Sequence, residues 1–164
     1  MSRADPERQE TTMAASVKTR VSYADDLHAW SLDQAALLRA RRTEGLDWDH
    51  LAEELEAMVG RDRRELKNRL RVILLHLLKW QAQPARRGAS WRKSLRTQRR
   101  HIRDLLQESP SLRPQVPGLV LEAYPDAVND AVDETGLPGG RFPVDCPYAA
   151  DDVLAEAYLP EAAI

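Results

Sequence analysis

Between Asp62 and Gln83 the chain carries an apolar pattern that an α-helix satisfies and a β-strand does not. Leu66, Leu70, Ile73, Leu77 and Trp80 recur at three- and four-residue intervals, and Val72, Leu74, Leu75 and Leu78 widen the arc almost to a full circle. A helix apolar on nearly every side has to be surrounded by other helices. The spacing therefore predicts a buried central helix over 62–83, closed by Pro84, whose ring disfavours helical backbone in the residue before it.

Other segments supply its neighbours. Ser22-Tyr-Ala-Asp25 has the form of a capping box, followed by Tyr23, Leu27 and Trp30 on one face; Ser31-Leu-Asp-Gln34 is a second box, where the helix is expected to restart or kink. Asp47 is a suitable N-cap for a helix with Leu51, Leu55 and Met58 on one face, joined by Trp48 and Val59. Gly60 interrupts that pattern, so a kink or a new helix is expected there. Ser90 is placed to cap a helix with Trp91, Leu95, Gln98, Ile102, Leu105 and Leu106 as its stripe. A proline-rich link leads to a further helix around 118–135, turned inward by Val120, Tyr124, Val128, Ala131 and Val132 and capped by Gly136. Pro125 is expected to kink that helix or delay its start. A short last helix is expected over about 149–157. No run alternates with period two over strand length. The fold class is thus all-α, a bundle of about five main helices around the 62–83 helix, in a single domain over 21–164 preceded by a flexible polar arm over 1–20.

The net charge of −2 conceals a partition. From Arg61 to Arg103 there are fifteen Lys or Arg against Asp62 and Glu65 alone, so the acids are concentrated elsewhere. On the helix from Ser90, Arg92, Lys93, Arg96, Arg99, Arg100 and Arg103 occupy the polar arc; Arg61, Arg63, Arg64, Lys67 and Arg71 do the same on the central helix. Two basic ridges of this kind suit a phosphate backbone, each neutralised phosphate steepening the salt dependence by ~0.9 in log–log slope. The competing reading is internal neutralisation by Asp49, Glu53 and Glu56 together with Glu122, Asp126, Asp130, Asp133 and Glu134.

A polar cluster is also expected. Glu54 lies at the edge of an apolar stripe, and His76 and Lys79, beside Trp80, are its expected partners. The four histidines fall one to each of four helices, and His50 with Glu54 has a spacing that a metal site in a bundle would use, but the paired Glu-x-x-His pattern of di-iron bundles is absent. No catalytic residue, metal or cofactor is assigned. The single Cys146 has no internal partner, which points to a reducing compartment. The N-terminus has no apolar stretch of secretory type, and no apolar run approaches the ~20 residues that span a bilayer. A cytoplasmic protein without membrane contact is expected.

Several motifs in order resemble one family. LAEELEAM (Leu51–Met58), LRVILLHLLKWQ (Leu70–Gln81), ASW (Ala89–Trp91), SPSLRP (Ser109–Pro114), ETGLP (Glu134–Pro138) and FPVDCPY (Phe142–Tyr148) resemble the bacterial "domain of unknown function 29" family, as do YADDLHAWSLDQAALLR (Tyr23–Arg39) and YLP (Tyr158–Pro160). The resemblance covers about residues 21–160 and implies an all-α fold and a bacterial source, with no activity. Pro125 and Ala149 depart from the pattern, where a helix former and a hydroxyl cap are usual.

The function expected from the residues is a non-enzymatic interaction or regulatory module that binds another protein or a second copy of itself. Nucleic-acid binding through the basic 61–103 segment is the alternative, and a metal-dependent enzyme using a His/Glu cluster between helices comes third.

Overall fold

The computed structural model describes residues 21–161; the arm expected over 1–20 lies outside them. It contains five α-helices: α1 (Leu27–Arg39), α2 (Trp48–Ala82), α3 (Ala89–Glu108), α4 (Val116–Thr135) and α5 (Ala150–Leu154). Short 3-10 turns lie at Pro84–Arg86, Pro110–Gln115 and Gly139–Arg141, and no strand occurs among the described residues. The described residues fall into two compact units, one ending at Glu53 and one beginning at Glu54.

In the first unit, Ser22 and Asp25 exchange hydrogen bonds as expected, but they close a turn, and the helix itself starts at Leu27 with Asp26 capping the Ala29 N–H at 2.9 Å. α1 does not restart at Ser31. The Ser31 hydroxyl donates back to the Leu27 carbonyl at 2.7 Å, and Gln34, buried, accepts from the Asp47 N–H at 2.9 Å. That bond ties α1 to the start of α2. Asp47 caps α2, and its carboxylate also holds the His50 ring nitrogen at 2.7 Å. The His50 ring stacks on Tyr23 with centroids 4.0 Å apart, and the buried Trp30 meets Tyr23 edge-on at 5.0 Å.

In the second unit the predicted central helix is present and buried. Leu66, Leu70, Ile73, Leu74, Leu77 and Leu78 have no exposed surface. Each such side chain contributes about 1.5–3 kcal/mol relative to an exposed position. Around them pack Leu95, Ile102 and Leu106 of α3, Leu119, Val120, Ala123, Tyr124 and Ala127 of α4, and Phe142, Tyr148 and Val153 of the C-terminal segment. α3 runs antiparallel to α2, since Arg69 meets Gln98 and His101 whereas Trp80 meets Arg87 and Arg92.

Three expectations about helix ends are corrected. α2 continues through Gly60 as one helix of 35 residues, because a lone glycine costs a helix only about 1 kcal/mol and the Arg64 side chain lies over the gap. α4 begins at Val116 and runs through Pro125, which lies on its exposed side, where water can satisfy the carbonyl that proline leaves unpaired. α3 begins at Ala89 with Gly88 in the cap position, so Ser90 is not its cap. A fourth correction concerns burial. Leu55, Met58 and Val59 are 64, 54 and 69% exposed, and Trp48 is 60% exposed, so the apolar stripe of the front half of α2 is not a core face. Periodicity reports a stripe; it does not report whether anything covers it.

A candidate anion-binding face on α3

The basic segment divides into a ladder of paired cations on α2 and an open row on α3, with Arg61 and Arg64 of the α2 ridge exposed outside the ladder. On α2, Arg63, Lys67 and Arg71 stand four residues apart, and on α4 so do Glu122, Asp126 and Asp130. The three pairs meet at 2.7, 3.9 and 2.5 Å. Both sets of numbers rise together, so α2 and α4 run parallel, and one register satisfies every rung. Arg71 grips Asp130 through two nitrogens, and that carboxylate raises the pKa of the guanidinium above its ordinary value. The acids at 49, 53 and 56 take no part in this ladder, for they belong to the same helix as the ridge and cannot lie alongside it. Of the two sources of internal neutralisation, α4 is the one used.

On α3 the outcome differs. Arg92, Lys93, Arg96, Arg100 and Arg103 are all exposed. They fall on one side of the helix over roughly 16 Å of its length. Among the described residues no ion pair is made by Lys93, Arg96 or Arg100; Arg103 reaches Glu156 at 3.6 Å, with both side chains more than half exposed. A shallow hollow of about 370 Å³ is lined by Lys93, Arg96, Thr97, Arg100, Arg103 and Glu156.

Arg99 stands apart from this group. It is 3% exposed, and its guanidinium donates to the carbonyls of Val153, Glu156 and Tyr158, each at 3.0 Å. Burial pulls its pKa below the ordinary arginine value, and Glu156 then Tyr158 oppose that shift. Arg99 is a clamp on the C-terminal segment and offers nothing to an outside anion. Its position four residues after Leu95 and three before Ile102 carried the signal, because that spacing belongs to the apolar stripe.

The expected polar cluster is rearranged. Glu54 lies on the same unbroken helix as Lys79, 25 residues earlier, so the two are separated by roughly 37 Å. Glu134 of α4 takes the Lys79 ammonium instead, and that ammonium also sits over the Trp91 ring at 4.8 Å. Arg87 and Arg92 lie over Trp80 at 5.4 and 5.3 Å from its centre. The His76 ring bonds within its own helix, pairing with the Val72 carbonyl one turn earlier at 2.9 Å. Burial lowers the His76 pKa, assisted by Lys79 and opposed by the Val72 carbonyl and Glu134. His76 and Lys79 therefore share their surroundings with Glu134, an acid that the sequence offers for the basic ridges and not for this cluster.

The remaining candidates carry less. Among the described residues no three His, Cys, Asp or Glu side chains form a group that would hold a metal ion. The Cys146 thiol is partly buried with its pKa pushed up, the opposite of an activated nucleophile. No helix of the described residues is long and apolar enough to cross a membrane.

The fold and the site thus define an all-helical domain with a partly neutralised cationic ridge on α2 and an open one on α3. The chain belongs to the family of the domain of unknown function DUF29, whose family model matches residues 22–159. No curated protein and no solved structure matches the chain.

Proposed function

We propose that this protein is a non-enzymatic interaction module whose recognition face is the open side of α3, turned toward an acidic surface of another protein. One observation carries the reading: Arg63, Lys67 and Arg71 of α2 are paired along α4, while five cations of α3 remain exposed, with Glu156 and Asp104 as exposed acids near them. Exposed like charges in a row repel one another, so a chain gains little by keeping them open unless an anion is to be received.

Nucleic acid is the second reading, supported by the same face. Two features favour protein. The ladder with α4 takes Arg63, Lys67 and Arg71 out of the second track that a duplex would use, so that Arg61 and Arg64 alone of that ridge stay exposed. Trp80, the aromatic beside the α3 face, is buried under Arg87 and Arg92 and is closed to base stacking.

Fluorescence anisotropy on the full chain tests the reading, with labelled poly-glutamate and a labelled DNA duplex as probes. Poly-glutamate is expected to bind at low salt, and the double variant Arg100→Glu, Arg103→Glu is expected to weaken it at least about tenfold. Unchanged binding by that variant contradicts the assignment of the face. Tighter binding of the duplex than of poly-glutamate transfers the function to nucleic acid.

A further inference from the structure

Beside the cationic row, α3 and the C-terminal segment border a half-open cleft of about 340 Å³. Ala89 and Leu95 line it from α3 and Ala157 and Leu159 from the C-terminal segment, with Arg92, Arg96, Arg99 and Glu156 as its charged lining. The C-terminal wall is held firmly, because Arg99 binds three carbonyls of the segment that forms it. Arg96 and Glu156 line both this cleft and the cationic hollow, so the two subsites adjoin, and Arg92 and Arg100 lie on either side of that junction. The volume lies at the lower end of the ~300–1,000 Å³ typical of small ligand sites. It suits one large side chain and leaves no room for a folded element.

We propose that this cleft anchors one apolar side chain of an acidic peptide segment, whose flanking carboxylates lie against Arg92, Arg96 and Arg100. The proposal rests on the interaction-module reading and adds to it the chemistry of the partner. Charge complementarity selects an acidic strand or helix, and the cleft selects a large apolar residue within it. Binding energy at protein interfaces concentrates where such an anchor fills a pocket, while the surrounding charges steer approach.

The test uses the full chain and three labelled probes: an acidic peptide with one central Phe, the same peptide with Ala there, and a single-stranded oligonucleotide of matched charge. The Phe peptide is expected to bind about tenfold more tightly than the Ala peptide. Ala157→Trp, made at an exposed position on the cleft wall, is expected to abolish that advantage while keeping the affinity for the Ala peptide. Ala89→Trp fills the cleft from the opposite wall and is expected to do the same, with thermal melting of both variants verifying the fold. Equal affinity for the two peptides, both weakened by Arg100→Glu, overturns the anchor and leaves the cationic face standing. Absence of peptide binding to the unaltered protein overturns both readings, and preference for the oligonucleotide overturns the choice of a protein partner.

Discussion

The Arg71 guanidinium donates to both oxygens of Asp130, at 2.5 and 2.6 Å, the shortest rung of a ladder whose positions advance by four on each of two parallel helices. Register follows from that arrangement. Sliding α4 by one residue turns its acids away from all the cations of α2 at once. The next position in register with Glu134 is Leu75, so Lys79 reaches back one turn to complete the row.

A double-mutant cycle measures the worth of this rung. With Arg71→Gln, Asp130→Asn and the double variant unfolded in urea, a coupling energy of about 0.5–1 kcal/mol is expected, because both side chains keep contact with water. Coupling near zero would reduce the ladder to an incidental contact.

Arg99 answers to a different energetic regime. Arg99→Met keeps the apolar stem and leaves three carbonyls without their donor, so a loss of about 2–4 kcal/mol is expected. Amide hydrogen exchange over residues 153–158 should accelerate far more than exchange within α2. Uniform acceleration in both places would show that Arg99 does not act locally on that segment.

Acid and alkali are expected to weaken the fold by different groups. Burial holds the His76 pKa below its ordinary 6.5, so the unfolded chain takes up a proton first as pH falls. The stability tied to neutral His76 is present above pH 6.5 and is lost as pH falls toward its folded pKa. His76→Gln should flatten the decline in the urea midpoint between pH 6.5 and 5. Tyr124, whose hydroxyl donates to the Pro143 carbonyl at 2.8 Å, has its pKa raised by burial to about 12. Its contribution is complete below pH 10 and declines between pH 10 and about 12, where Tyr124→Phe should be less sensitive to alkali. Equal pH profiles for variant and parent would refute either assignment.

These residues also show how much the sequence disclosed. The all-round apolar pattern of 66–78 required burial, and those residues form the centre of the larger unit. The acids at 122, 126 and 130 repeat with the period of the cations at 63, 67 and 71, so their meeting was legible as one of two alternatives. Glu54 was misplaced because Gly60 was weighed as a break, and a helix that continues past it carries Glu54 far from Lys79. Arg99 was read with its charged neighbours because composition hides a side chain whose angular position belongs to the apolar stripe. The exposure of Leu55, Met58 and Val59 was beyond reach, since coverage depends on where other helices stop.

The contrast between the two ridges is tested most directly by arginine footprinting with phenylglyoxal, read by mass spectrometry on the native full chain. Arg96 and Arg100 should be modified first, with Arg71 slower and Arg99 protected until denaturant unfolds the protein. Modification of Arg99 or Arg71 at the rate of Arg100 would contradict the division into a ladder of paired cations and an open row.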